Sequence, residues 1–247
     1  MRSVRQLLPY PAGDLSDDDL LAAYATPRAE YLRVNFVASA DGAVTLSGKS
    51  GGLSGPADKR VFQLLRDMAD VVLVAAGTIR NEGYGYPDFG PDRRARRVGA
   101  GLAELPTFAI VSRSLELDLS SSLFTGAPVR TVVLTDETAP ADRRTELERH
   151  AEVVTTDGLA GHVRALRERG HARILCEGGP SLFAGLTAGG LLDELCLTTS
   201  PLLAGPGPGR IVAGPEHPPV PLTLTTLLEE DGALFHRFAV SREEQGD

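Results

Sequence analysis

Apolar positions along this chain alternate between two periods. Residues 31–38, YLRVNFVA, carry the composition of a strand and run into Ser39-Ala-Asp-Gly42, a turn signal. Residues 71–76, VVLVAA, are apolar without interruption over a strand's length, the pattern of a strand covered on both faces. Between them Val61, Leu64, Leu65 and Met68 recur at helical spacing. Pro56 suits the first position of that helix, with Ser54 or Gly55 as its cap. Further strands are expected at 107–111, 131–134, 152–154, 173–176 and 194–199, and helices at about 140–149, 159–169 and 180–188. The chain closes with a hairpin, 222–228 and 233–240, around Glu230-Asp-Gly232. Strands alternating with helices and then closing antiparallel predict an α/β fold, a mixed sheet with helices on both faces.

Two segments stand outside this rhythm. Residues 1–30 read as an N-terminal extension with one short helix, signalled by Ser16 ahead of Asp17, Asp18 and Asp19 and running to about Tyr24. One domain then covers 31–247. Residues 83–104 hold glycines, prolines and the run Asp92-Arg-Arg-Ala-Arg-Arg97. So long a connection inside a compact domain predicts a lid or mobile segment. Its basic run reads either as a solvated loop or as a lid that meets an anionic ligand.

Composition narrows the classes. With 42% hydrophobic residues among 247, the chain has the make-up of an ordinary soluble domain. A net charge of −8 disfavours nucleic acid and anionic membranes as partners, while a local basic pocket could still take an anion. No apolar run approaches a membrane span, and the first twenty residues lack the apolar stretch of a secretory signal. Cys176 and Cys196 both lie in apolar runs and make no disulfide framework. A cytoplasmic protein with two reduced core cysteines is expected.

Chemistry is expected where buried strands end. Three small-residue turns follow such strands: Ala75-Ala-Gly-Thr78, Val111-Ser-Arg-Ser114 and Cys176-Glu-Gly-Gly-Pro-Ser181. In open α/β sheets ligands bind outside the carboxyl ends of the strands. Gly178-Gly179 would let backbone approach a phosphate, and is equally a tight strand-to-helix turn. Asp58 is either a dipole-favoured acid in a first helical turn or a group that holds substrate. Several chemistries are absent. The turn EGGPS is not the dinucleotide fingerprint G-x-G-x-x-G. His150-Ala-Glu152 lacks the P-C-x-x-C that a zinc deaminase needs. The five histidines show no ligand spacing, so no metal is expected, and G-x-S-x-G does not occur.

Three motifs in this order, NFVASADGAVT (35–45), LLRDMADVVLVAAGT (64–78) and CEGGPSLFAGLTAGGLLDELCLTTSPLLAGPG (176–207), resemble the reductase domain of riboflavin biosynthesis, which shares its fold with dihydrofolate reductase. The likeness runs from about residue 31 to 240, and GTIRNEGYG (77–85) is similar to the stand-alone actinobacterial branch. The resemblance implies a three-layer dihydrofolate reductase-like fold with a mostly parallel central sheet. It also implies NADPH as hydride donor and a homodimer. The implied reaction reduces 5-amino-6-(5-phosphoribosylamino)uracil, or a related pyrimidine, to the ribityl form, with hydride added at the ribose C1′ of the ring-opened imine.

Carried over to this sequence, the cofactor side comprises Ala38, Gly77, Thr78, Gly178, Gly179, Ser181 and Leu182. Ser112 and Arg113 would meet the adenosine 2′-phosphate, which favours NADPH over NADH. Asn35, Asp41, Phe62, Glu82 and Glu177 fall on the substrate side. The segment PADKRVF (56–62) resembles the dihydrofolate reductase helix whose acid pairs with the pterin, which makes Asp58 the catalytic candidate. Asp58 and Phe62, four residues apart, share one helix face.

Two positions depart from the family pattern. Ala43 stands where a basic residue follows Ser-x-Asp-Gly, and Asn81-Glu-Gly-Tyr-Gly85 replaces Asp-Asp-Pro-x-Leu. Both help hold ribose and phosphate in that family. A pterin reductase, and a non-catalytic NADPH-binding protein, are the alternative readings.

Overall fold

A computed structural model describes residues 3–207 and 209–241. The elements in chain order are β1 (Arg5–Leu8), α1 (Asp17–Ala23), β2 (Tyr31–Ser39), α2 (Pro56–Asp67), β3 (Val71–Ala75), α3 (Ala76–Glu82), α4 (Pro91–Gly99), β4 (Thr107–Val111), α5 (Ser122–Thr125), β5 (Val132–Thr135), α6 (Ala141–Leu147), β6 (Glu152–Thr155), α7 (Leu159–Glu168), β7 (Arg173–Cys176), α8 (Pro180–Ala188), β8 (Glu194–Ser200), β9 (Leu222–Glu230) and β10 (Ala233–Val240). They build one ten-stranded sheet in the order β1-β9-β10-β8-β2-β7-β3-β4-β5-β6. From β8 to β6 every neighbouring pair is parallel. β10, β9 and β1 close the other edge antiparallel.

The uninterrupted apolar run of β3 has a direct physical cause. Val71 and Leu73 point into a core layer beneath α7 and α8, built with Val163, Leu166, Phe183 and Leu186. Val72 and Val74 point the other way, into a layer with Ile79, Phe108, Leu123 and Leu147. Successive side chains on a strand face opposite sides, so a strand sandwiched between helices needs apolar residues at every position. A third cluster joins α1 and α2 to the antiparallel edge through Leu20, Val61, Leu65, Cys196 and Phe235. The three-layer mixed fold expected from the sequence is the one observed. The closing hairpin turns at Asp231 and Gly232, both with positive φ (50° and 83°), as the tight two-residue turn requires.

Three local outcomes differ from the sequence reading. The N-terminal segment places β1 on β9 in the main sheet and buries Val4, Leu15 and Leu20. Ser16 caps α1 as expected, in a reciprocal capping box with Asp19. Residues 83–104 are not a continuous loop: 91–99 form α4, started by Pro91. Its basic run folds inward rather than into solvent. Arg97 is fully buried and donates to the carbonyls of Arg66 (2.8 Å), Ala69 (2.7 Å) and Ala103 (3.0 Å). Arg93 and Arg96 pair with the buried carboxylate of Asp67. Apolar periodicity could not signal a helix whose buried residue is an arginine. Finally, Gly77 and Thr78 belong to the first turn of α3, which follows β3 with no intervening loop.

Candidate active site

A cavity of about 530 Å³ opens at the carboxyl ends of β2, β7 and β3, which are neighbours in the sheet. Its main wall is α2. Asp58, Phe62 and Arg66 succeed one another at four-residue intervals and all line the cavity, while Val61, Leu64 and Leu65 turn to the core. One helix thus separates an apolar face from a chemically active one. Pro56 at its first position fixes the entry, and Ser54 just before it donates a 2.5 Å hydrogen bond to Asp58 Oδ2. Asp58 is 7% exposed.

Across the cavity stands Glu177, the first residue after β7. Arg66 meets it as a fork: Nε donates to Oε1 at 2.6 Å and Nη2 to Oε2 at 2.7 Å. Tyr84 donates its hydroxyl to Oε2 at 2.9 Å. Burial, and then the charge of Glu177, push the Tyr84 hydroxyl well above the usual tyrosine range, so it remains a proton donor at neutral pH. The Arg66 guanidinium also lies over the Phe62 ring, 4.3 Å from its centroid. That stacking fixes the one aromatic face α2 turns to the cavity. Glu82 accepts the backbone N–H of Ser50 at 2.9 Å and holds the 48–51 turn at the rim.

The glycine turn after β7 lies against β2 and α3. Gly178 has φ +89°, and a Cβ there would stand 2.9 Å from the Phe36 ring. Its carbonyl accepts the N–H of Ala75 at 2.8 Å, and its peptide bond to Gly179 is cis. A Cβ at Gly179 would meet Thr78 Oγ1 at 2.8 Å, whereas Gly77 has open space where a side chain would be. Phe36 and Thr78 therefore already fill the space that side chains at Gly178 and Gly179 would take, and only Gly77 leaves backbone open.

The structure gathers Asn35, Asp58, Phe62, Thr78, Glu82, Glu177 and Gly179 around this cavity. Gly178 stands directly behind it. Ser112 and Arg113 follow β4, whose last residue pairs in register with that of β3, so their turn is next in the row of strand ends, outside the cavity. The Ser112 hydroxyl accepts the N–H of Leu115, and Arg113 is exposed. Ser181 is exposed in the first turn of α8, while Ala38 and Leu182 are buried. Asp41 faces away. It accepts from Ser39 Oγ and from the backbone N–H groups of Ala204 (3.2 Å) and Gly205 (2.8 Å), which hold its carboxyl down at about 2.

Sequence reasoning missed Ser54, Lys59, Arg66 and Tyr84. Arg66 was within reach, since it continues the four-residue spacing of Asp58 and Phe62. Tyr84 follows the left-handed Gly83 and carries no periodic signal. Among the described residues no cluster of three His, Cys, Asp or Glu could hold a metal, and no helix is long and apolar enough to cross a membrane. Both cysteines are buried thiols, and burial raises Cys176 to about 12 and Cys196 to about 11, which leaves neither as a nucleophile.

The model of the RibD C-terminal domain family matches residues 30–232. A 2,5-diamino-6-ribosylamino-4(3H)-pyrimidinone 5′-phosphate reductase of Methanothermobacter thermautotrophicus is 28% identical over 180 residues, 71% of this chain and 79% of the relative. The enzyme of the same name from Archaeoglobus fulgidus is 26% identical, over 71% of this chain and 82% of its own. Among solved structures, a pyrimidine reductase-like protein from Corynebacterium diphtheriae superposes with a TM-score of 0.85 at 27% identity, covering 93% of this chain and 100% of its own. The Saccharomyces riboflavin biosynthesis reductase Rib7 shares the fold, with a TM-score of 0.61 at 14% identity, over 89% of this chain and 94% of its own.

Proposed function

The chain belongs to the RibD C-terminal domain family, and from that premise we propose that it reduces a ribosylaminopyrimidine 5′-phosphate to its ribityl form with NADPH. The observation that carries this reading is the row Asp58, Phe62 and Arg66 on one helix face, turned toward Glu177 across a single cavity at the carboxyl ends of the parallel strands. A nicotinamide cofactor is implied by the family. The open backbone at Gly77, and the lack of a side chain at Gly179 where it lines the cavity, suit it. Ser181, at the start of α8, and Thr78 would assist its phosphates, and Arg113 with Ser112 would meet the 2′-phosphate that distinguishes NADPH from NADH. When bound, the nicotinamide supplies the hydride that converts the ring-opened imine of the substrate into the ribitylamine.

The chain's own residues bind and orient. In this reading Phe62 packs on the pyrimidine ring. Asp58, an acceptor on both oxygens, takes hydrogen bonds from the edge of the base. That edge discriminates between candidate substrates. A 2-aminopyrimidinone offers an amino group beside a ring N–H, two donors for one carboxylate. A uracil places a carbonyl where the amino group would be, and that carbonyl would face Asp58 unpaired. We therefore favour the 2,5-diamino substrate class of the two archaeal relatives over the uracil form. Arg66 and Tyr84 fix the Glu177 carboxyl in position at the reacting end. A cytoplasmic homodimer belongs to the same reading.

Calorimetric titration with NADPH and NADH, in the native protein and in Arg113→Ala, tests the cofactor. Preference for NADPH that disappears in the variant supports the assignment. NADPH oxidation driven by the 2,5-diamino phosphate and not by the uracil form supports the substrate. Turnover of dihydrofolate, abolished in Asp58→Asn, would replace the pyrimidine with a pterin, for which the Asp58 and Phe62 pair is also suited.

A further inference from the structure

We infer that a second cavity, at the opposite end of the sheet from the candidate active site, binds a small amphipathic anion, an apolar ring that carries one carboxylate or phosphate. The candidate active site lies at the carboxyl ends of β2 and β7. This cavity, of about 320 Å³, is lined instead by their first residues, Tyr31 and Arg173. Its volume falls at the small end of the range for ligand pockets, which suits a body of one or two fused rings. Leu21, Ala29, Met68 and Leu102 give it an apolar lining. The unbranched thioether of Met68 adapts readily to a flat ring. The end of α2 serves both cavities, since it gives Arg66 to the candidate active site and Asp67 and Met68 to this one.

Charge selects the other half of the ligand. Three guanidinium groups, Arg28, Arg96 and Arg173, share the lining with one carboxylate, Asp67, in a chain whose total charge is −8. Asp67 is already held by Arg93 at 2.6 Å and Arg96 at 3.1 Å, and Arg96 also reaches Asp17 at 3.3 Å. Arg28 pairs with Asp193 at 2.7 Å. Arg173 differs from both. Its backbone is spent on Asp70, whose carboxylate accepts the Arg173 N–H at 2.7 Å and whose own N–H donates to the Arg173 carbonyl at 2.9 Å. Its half-buried side chain makes no hydrogen bond or ion pair among the described residues. A guanidinium partly withdrawn from water is a strong donor to a carboxylate or phosphate, which its fork meets with two parallel hydrogen bonds. A neutral apolar ligand would leave Arg173 unpaired, and a bare inorganic anion would leave the apolar lining wet. A ligand with both parts satisfies both. Nothing in this inference depends on the reductase reading.

The chain holds only two methionines, Met1 and Met68, so protein grown on methyl-labelled methionine reports on this cavity directly by NMR. The full-length protein is titrated with naphthoate, with naphthyl phosphate and with the neutral naphthylmethanol, and the Met68 signal, assigned through Met68→Leu, is followed. At least one of the two anions is expected to shift it saturably, and the tighter of them identifies the anionic group. The alcohol should bind about tenfold more weakly or worse. Arg173→Ala is expected to weaken the anion by about the same factor, and Arg173→Lys to recover part of the loss. Ala29→Glu places a carboxylate at an exposed position of the lining and should weaken the anion as well, which keeps the test open should Arg173→Ala fail to fold. No movement of the Met68 signal with either anion would overturn the inference, as would equal affinity for the alcohol. A shift that survives both Arg173→Ala and Ala29→Glu would place the probe elsewhere and overturn it too.

Discussion

Arg66 and Glu177, 111 residues apart in the chain, close on each other through two parallel charge-assisted hydrogen bonds at the floor of the candidate site. One comes from the last turn of α2 and the other from the first position after β7. The pair therefore fastens the substrate wall to the glycine turn. Both side chains are nearly withdrawn from water, 10% and 1% exposed. A pair so placed is costly to break, because the surviving partner keeps a buried charge without compensation.

Glu177→Gln is expected to lower stability by roughly 3 kcal/mol. It should also reduce kcat/KM far more than it weakens binding of the nicotinamide cofactor. Denaturant unfolding, cofactor titration and steady-state kinetics on the same preparation check all three. A variant with native stability would mean that water or a neighbouring carboxylate compensates Arg66.

Asp58→Asn keeps the shape of the side chain and exchanges one acceptor for a donor. If Asp58 takes two hydrogen bonds from a 2-aminopyrimidinone edge, kcat/KM on that substrate should fall by about 30-fold or more. Ser54→Ala removes the hydroxyl that donates to Asp58 at 2.5 Å and should cost less, since the carboxylate remains. Kinetics of the two variants side by side give the ranking.

The two glycines of the turn after β7 should separate in their response to alanine. Gly178→Ala introduces a Cβ at φ +89° and 2.9 Å from the Phe36 ring, and is expected to destabilise the fold by roughly 2 kcal/mol. Gly179→Ala meets only the Thr78 hydroxyl, which can rotate away. It should leave Tm nearly native and, if this turn holds the nicotinamide cofactor, weaken cofactor binding instead. Thermal unfolding with and without cofactor distinguishes the two.

Arg97→Ala removes the buried group that closes the C-terminal carbonyls of α2 and should cost roughly 2–4 kcal/mol. Arg97→Lys is expected to recover less than half, because an ammonium cannot span carbonyls that a planar fork reaches together. Unfolding midpoints of the three proteins provide the check.

Stability should also fall on mild acidification. Burial holds His162 below the usual histidine range, with its Nδ1 2.6 Å from Thr156 Oγ1, and burial lowers His171 in the same sense. A base with a depressed pKa is neutral in the folded state while its unfolded counterpart takes a proton. The unfolded chain therefore gains protons first as pH drops below about 6.5, and stability is lost from there down to the folded-state value. His162→Gln should flatten part of that slope below about pH 6.5. Unfolding midpoints measured across this range test the sign.

Much of this was present in the order of residues. The apolar run of β3, the Pro56 entry to α2, the Ser16 cap and the Asp231-Gly232 turn are local facts, set by sterics and by burial on one or both faces. With the alternation of strands and helices they were enough for a mixed sheet with helices on both faces. The shared helix face of Asp58 and Phe62 followed from the same periodicity. The N-terminal strand was not legible, because four residues at a sheet edge carry too little pattern to announce a partner more than 200 residues away. Nor was α4, whose inward face is an arginine that satisfies backbone carbonyls.

The sequence by itself determined where locally signalled elements such as β2, α2, β3 and the closing hairpin begin and which of their faces are apolar, since those choices depend on neighbours within a few residues. Only the tertiary structure decided which charges survive at the site. It joined Arg66 to Glu177 and turned Asp41 away to brace the 204–205 loop. Charge pairing depends on distances across the fold, and those are fixed only when β2, β7 and β3 lie side by side and bring their ends to one cavity.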